Sequence, residues 1–212
     1  MLEEAVELFR SDRRALLYVV CGAALVVCML TPPADGLSDS VLAFHMFGEH
    51  FAFIGGPCLF LEGVLRAAPG GLAGRACRFF SRANHRYNSK GALTLPAAAA
   101  LLVYWHLPAN FDYAVYHPVV HALFHASMLL VGVLFYFTLK AASKTELLAL
   151  QFSFGYVMLA LGLLFSSSRV YTAYSAYQNA LTGEVMLLFM PITTLATFVQ
   201  AVRVFRKYLG PD

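Results

Sequence analysis

The chain has 212 residues, of which 59% are hydrophobic and only 13% are charged, and its formal net charge is +3. A soluble domain carries about 25% charged residues, so this composition excludes an ordinary soluble enzyme and indicates an integral membrane protein. The small positive charge says little about partners, because membrane topology alone accounts for the basic residues, and we expect no nucleic-acid partner.

Six apolar segments have the length of a bilayer-spanning helix, which takes roughly 17–25 residues. They lie at about 15–31, 41–65, 91–107, 119–139, 147–166 and 185–202. The connections between them are too short for a separate soluble domain. We therefore expect an all-α fold in which residues 1–212 form one polytopic membrane domain, a bundle of six transmembrane helices.

The basic residues separate almost completely onto one side of this six-span arrangement. All but Arg169 of the 15 lysines and arginines fall at the two ends of the chain or in the connections after the second and fourth spans. Such residues mark the cytoplasmic side of a membrane protein. We therefore expect both termini in the cytoplasm, and an outer side that carries mainly acidic residues: Asp35, Asp39, Asp112 and Glu184.

The second span carries ionisable residues at membrane depth. If its helix begins at Ser38 or Asp39, Glu49 lies roughly 15 Å into the bilayer, at 1.5 Å per residue. His45 is four residues earlier and shares its helix face, whereas His50 points elsewhere. A charged group near mid-membrane costs about 2.5–3.5 kcal/mol even on lenient scales, so such residues usually mark a functional site.

The fourth span begins with a stripe of histidines. His117, His121 and His125 are spaced i, i+4 and i+8, and Met128 falls on the same stripe. Pro118 suits the first helical position, which leaves His117 at the cap. His106 ends the third span at the same outer boundary. Imidazoles and a carboxylate from three helices are therefore expected at one depth, as a shared site or as interhelical hydrogen bonds.

Aromatic residues near the outer boundary are expected to lie at the membrane interface, where tyrosine and tryptophan are enriched. Tyr104 and Trp105 end the third span. Tyr171, Tyr174 and Tyr177 follow the fifth span and are expected to form an interfacial strip.

Imidazoles with a carboxylate suit copper, zinc, iron or nickel, and a nearby thioether favours copper. Two histidines on facing helices could instead hold haem b, and a chain of such groups could serve a proton or metal pathway. No catalytic serine or cysteine motif accompanies them, so we expect no catalytic residues. The predicted metal ligands are His45, Glu49, His106, His121 and His125, with His50, His117 and Met128 as weaker candidates.

The segment "WHLPANFDYAVYHPVVHALFHASMLLVGVLFY", residues 105–136, resembles the signature region of the CtaG-like cytochrome c oxidase assembly factors. Members show Trp-His-x-Pro, then an aromatic residue and Asp, then His-x-x-x-His at the start of the next helix. The matching residues here are Trp105, His106, Pro108, Phe111, Asp112, His121 and His125. Upstream, "HMFGEH" looks like the family's His-Met-x-x-His, with Glu49 in place of the second histidine.

The resemblance implies a short or divergent member, because members commonly have seven spans. It further implies a multi-pass protein of the cell membrane that helps to deliver copper to a terminal haem-copper oxidase, with its site toward the extracytoplasmic side. Zinc or haem b are the alternative cofactors. The alternative functions are a b-haem-binding or accessory subunit of a respiratory oxidase complex, and a proton-linked or metal transporter. Either Glu49 or His50 replaces the family's second histidine.

Overall fold

The structure, a computed structural model, describes residues 13–67 and 72–209. These residues are almost entirely helical and include no strand, which confirms the all-α class. We number the helices α1 Arg13–Met29, α2 Pro32–Ser40, α3 residues 42–67, α4 Leu72–Tyr87, α5 Thr94–His106, α6 Pro108–Tyr116, α7 Pro118–Ala141, α8 Lys144–Ser167 and α9 Ala176–Leu209.

Three of these helices, α7, α8 and the Ala176–Val204 part of α9, are each long and apolar enough to cross a membrane. Two bent pairs also qualify if each is counted as one span. They are α1 with α2, bent by 62°, and Ser89–His106 with α6, bent by 69°. The described residues therefore contain three clear candidate spans and up to five, as expected of an integral membrane protein.

Helix α3 changes its winding along its length. It runs as α-helix Leu42–Phe44, π-helix His45–Glu49, π-helix Phe51–Gly55 and α-helix Gly56–Ala67. A π-turn closes i→i+5 hydrogen bonds, so its turn is wider than an α-helical turn, and such turns often occur at functional sites. Residues five apart can therefore reach the same side of α3, as residues four apart do.

Helix α7 packs closely against the widened part of α3. A Cβ atom on Gly132 would lie 2.7 Å from the carbonyl oxygen of Phe53 and 2.8 Å from that of Ile54, so only glycine permits this approach. The Cys58 thiol donates a hydrogen bond to the Gly132 carbonyl oxygen at 3.4 Å. Small residues at such crossings let membrane helices approach closely.

Two short helices cover the outer ends of α3 and α7. α2 and α6 each carry proline in the first turn, where its fixed φ and missing N–H suit a helix start. Each is followed by one extended residue, Val41 before α3 and His117 before α7. The predicted cap at His117 is therefore confirmed. The predicted start of the second span at Ser38 or Asp39 is wrong, because these residues belong to α2 and Val41 is the cap.

Other boundaries also differ from the sequence-based expectation. Residues 72–87, expected in a connecting loop, form α4, and α9 begins at Ala176, nine residues before the predicted span at 185–202. In α4, Phe79 and Phe80 are exposed, as are Arg75 and Arg82. Helix α4 was not predicted because it is amphipathic and has no long apolar run, which is the signal that hydropathy detects.

The buried aromatic residues correct the expected interfacial belt. Trp105 packs in an apolar core with Phe124 and Met128, and it is only 7% exposed. Tyr171 and Tyr174 are buried in a second core. The interfacial placement is therefore wrong for these three residues, whose apolar rings fill the bundle interior. Tyr104 and Tyr177 are exposed, as expected.

Candidate metal centre

The structure brings together four of the predicted ligands, two from α3 and two from α7. Nε2 of His45 lies 3.4 Å from Oε2 of Glu49, and Nε2 of His125 lies 3.3 Å from the same oxygen. Nε2 of His121 is 2.8 Å from Nε2 of His125. All four side chains are buried, and Glu49 has no exposed surface. We call these four residues, together with Asp35, the central cluster.

Asp35 joins the cluster from α2, above the ends of α3 and α7. Its Oδ1 atom lies 3.9 Å from Nε2 of His121 and 4.0 Å from Nε2 of His125. One ligand atom from each of these three residues lies within 4.8 Å of the others, a spacing that could hold a metal ion. The sequence analysis placed Asp35 on the outer side without assigning it to the site.

Asp39 is a second carboxylate that the sequence analysis left outside the site. Its Oδ1 lies 3.5 Å from Nδ1 of His121, the ring nitrogen that faces away from the cluster. Carboxylates in this position commonly orient a metal-ligating histidine. Asp35 and Asp39 are four residues apart, and so are His121 and His125. This matching spacing could have indicated from the sequence that the two aspartates belong to the site.

Tyr174 plays the corresponding part for His45. Its hydroxyl group donates a hydrogen bond to the Ser38 carbonyl oxygen at 2.8 Å and lies 3.2 Å from Nδ1 of His45. A phenol has one hydrogen, so its oxygen accepts the second bond from Nδ1–H of His45. The lone pair of His45 then lies on Nε2, the atom that faces Glu49.

Burial, and secondarily the charge of Asp39, raises the pKa of Tyr174 well above its usual range. The phenol group therefore stays neutral, and its single hydrogen remains available, at every physiological pH. No sequence pattern pointed to this role, because Tyr174 lies in the connection between α8 and α9, far from the histidines along the chain.

Asp112 fixes the connection that carries Tyr174. Its carboxylate accepts hydrogen bonds from the Thr172 backbone at 2.9 Å, the Thr172 hydroxyl at 2.6 Å and the Ala173 backbone at 3.0 Å. The Tyr171 hydroxyl donates to the His106 carbonyl oxygen at 3.1 Å. Asp112, one of the residues that carry the family resemblance, therefore positions a loop and does not contact the central cluster among the described contacts.

His106 and His50 form a separate pair. Their ring centroids are 4.9 Å apart. Among the described residues, no ion pair joins either ring to the central cluster. His50 was predicted to point elsewhere than His45 and Glu49, and its ring indeed lies against His106 and outside the central cluster. The regular α-helix assumed for this segment is wrong, because α3 winds as π-helix over these residues.

The remaining weaker candidates lie outside the cluster. His117 is exposed, stacks on the Tyr113 ring at 3.8 Å and has its Nδ1 atom 2.8 Å from the Tyr113 carbonyl oxygen. Met128 is fully buried in the apolar core with Phe53 and Phe124. The thioether that favoured copper at the sequence level therefore packs against hydrocarbon in this arrangement.

The chemistry of the cluster fits a bound cation. Four atoms at its centre are buried and have no hydrogen-bond partner: Asp35 Oδ1, His45 Nε2 and both carboxylate oxygens of Glu49. Buried polar atoms are normally hydrogen-bonded, so such a group requires another partner, for example an ion. Nitrogen and carboxylate donors together suit copper, zinc, iron or nickel. His45, Glu49, His121, His125 and Asp35 are the residues that could hold the ion.

The fold and the site together define an integral membrane protein with a buried histidine–carboxylate cluster. The chain matches the family model described as cytochrome c oxidase caa3 assembly factor (Caa3_CtaG) over residues 7–207, and it belongs to that family. The match covers nearly the whole chain and so extends the resemblance far beyond residues 105–136. No curated protein and no solved structure gives a significant match.

Proposed function

We propose that this protein is a non-catalytic assembly factor that binds a copper ion in the central cluster and presents it to a terminal haem-copper oxidase. Family membership supports the assembly role. One observation carries the metal-binding part: Nε2 atoms of His45 and His125 face one buried carboxylate oxygen of Glu49, at 3.4 and 3.3 Å. The negative charge of a buried carboxylate is costly unless a cation compensates it, and a metal ion held by these imidazoles would supply that charge.

Copper is the preferred occupant on chemical grounds. Among divalent first-row ions, a nitrogen and oxygen site generally binds Cu²⁺ most tightly, and imidazole also suits Cu⁺. Zinc is the second choice, because it takes the same donors. Haem b fits poorly, since His121 and His125 contact each other at 2.8 Å and Glu49 lies against His125.

The surroundings of the cluster favour holding an ion over transporting it. Asp35 and Asp39, with side chains 43% and 45% exposed, lead from the surface to the buried histidines. On the other side of the cluster, Phe53 and Met128 are fully buried in apolar contacts. A transporter needs polar groups along the whole path, and this apolar layer interrupts the path between the cluster and the inner ends of α3 and α7.

The proposal includes a topology of six spans with both termini in the cytoplasm. Helix α3, unbroken over residues 42–67, would be the sixth span beside the three long helices and the two bent pairs. The central cluster lies where α3 and α7 begin, beneath α2 and α6, so this topology places it near the extracytoplasmic face, where copper would arrive.

Cysteine labelling tests the topology. In a variant without the native cysteines, single cysteines introduced at Gly36 and Asn110 should react with an impermeant maleimide from outside the cell. A cysteine at Ser89 should react only after the membrane is opened. The reverse pattern would overturn the topology and the location of the site.

The assembly role is testable in cells that lack the gene. We expect the terminal oxidase purified from such cells to contain less copper and to have lower activity. Expression of the wild-type protein should restore both the copper content and the activity, whereas expression of the His125→Ala variant should restore neither. His117→Ala is the matched control and should restore both, because His117 is exposed and outside the cluster. Full restoration by His125→Ala would contradict the proposal, and a Soret band in the purified protein would favour the haem alternative.

A further inference from the structure

Two histidines stand apart from the central cluster and remain without a role in it. His50 belongs to α3, and His106 is the last residue of α5. Their ring centroids are 4.9 Å apart, with the ring planes at 56°. No carboxylate oxygen of the described residues forms an ion pair with either ring, in contrast to the histidines of the central cluster.

Each of the two rings has a nitrogen that can act as a ligand. Nδ1 of His106 lies 2.6 Å from the Leu102 carbonyl oxygen, and a carbonyl oxygen only accepts, so Nδ1 carries the hydrogen. In the neutral ring, Nε2 then holds a lone pair. A ring nitrogen bonded to a backbone carbonyl is typical of metal-ligating histidines. In His50, Nδ1 is buried and has no hydrogen-bond partner.

We propose that His50 and His106 form a second metal site, which takes a soft monovalent cation, Cu⁺. This inference rests on the copper-binding function proposed above. Two neutral imidazoles suit copper but bring no negative charge. The cost of moving an ion from water into a low-dielectric interior rises steeply with its charge, so a site without a carboxylate favours a monovalent ion.

The central cluster has the opposite preference. It contains Glu49 and Asp35, with Asp39 behind His121, and these carboxylates compensate the charge of a divalent ion. Glu49 and His50 are consecutive residues, so the two sites are adjacent on α3. The protein therefore holds two neighbouring sites that differ in the charge of the ion they prefer.

Metal titrations of the full-length protein in detergent test this assignment. Under anaerobic conditions, with a chromophoric Cu⁺ chelator as competitor, the wild-type protein should bind a second equivalent of Cu⁺. His50→Gln and His106→Gln should each lose that second equivalent and keep the first. His117→Gln is the matched control, because the His117 ring makes the same type of bond to a carbonyl oxygen four residues earlier. It should bind as the wild type does.

A parallel titration with Zn²⁺ separates the two sites. His50→Gln and His106→Gln should leave Zn²⁺ binding unchanged, which also shows that both variants are folded. His125→Gln should lose Zn²⁺ and keep the Cu⁺ equivalent of the second site. Unchanged Cu⁺ stoichiometry in both His50→Gln and His106→Gln would overturn the second site and leave the proposed function standing. Absence of any copper binding by the wild type would overturn both.

Discussion

The hydroxyl group of Tyr174 lies 3.2 Å from Nδ1 of His45 while it donates to the Ser38 carbonyl oxygen at 2.8 Å. Because the single phenol hydrogen goes to Ser38, His45 donates to the tyrosine oxygen from Nδ1 and keeps its lone pair on Nε2. A residue in the α8–α9 connection thus selects the tautomer that a metal ligand needs.

Removing this hydroxyl group tests its role. We expect Tyr174→Phe to lower Cu²⁺ affinity roughly 10–100-fold, the usual effect of losing the partner that orients a ligating histidine. Competition titration with a chelator of known affinity measures this change. Tyr177→Phe is the control, because Tyr177 is 74% exposed, and it should leave affinity unchanged. Equal affinities for Tyr174→Phe and the wild type would show that the ring orientation of His45 does not depend on Tyr174.

Asp35 provides a test of a ligand that the sequence analysis did not assign. We expect Asp35→Asn to weaken Cu²⁺ binding, because it removes a negative charge 3.9 Å from His121 and 4.0 Å from His125 while it keeps the shape of the side chain. Competition titration again gives the affinity. Glu184→Gln removes the same charge at an exposed position of α9 and serves as the control. A loss shared by both variants would indicate a general charge effect and remove Asp35 from the site.

Glu49 is the position at which the sequence departs from the family pattern. Glu49→Gln keeps the shape of the side chain and removes its charge. We expect it to lower Cu²⁺ affinity at least roughly 10–100-fold, the usual effect of losing a residue that orients a metal ligand. Glu184→Gln, at an exposed position, should have no effect. Metal analysis after dialysis reports the result. Unchanged Cu²⁺ content in Glu49→Gln, together with its loss in His50→Gln, would transfer the role of Glu49 to His50.

The part of the site that follows regular helical periodicity was predictable from the sequence. On α7, Pro118 marks the first turn, and residues four apart lie on one face, so the pairing of His121 with His125 follows directly. The same reasoning correctly placed His45 with Glu49, since a widened turn still keeps these two residues within reach of each other.

The errors arose where tertiary structure overrides local periodicity. The π-turns of α3 were missed because they cannot be recognised from an apolar pattern, and Asp35 was missed because α2 folds back over the bundle at a bend of 62° to α1. Trp105 and Tyr171 were assigned to the interface by residue type, whereas burial of their rings decided their positions. The role of Tyr174 could not be predicted, because it depends on the tertiary position of the loop that Asp112 holds.

The most direct test of the central claim is the copper content and affinity of the purified protein, compared with those of a His121→Ala, His125→Ala double variant. We predict that the wild-type protein binds Cu²⁺, that its X-ray absorption spectrum shows imidazole nitrogen and oxygen neighbours, and that the double variant loses this binding while its helical circular dichroism is retained. Equal Cu²⁺ binding by the folded double variant and the wild type would contradict the account, because the cluster would then not be the metal site.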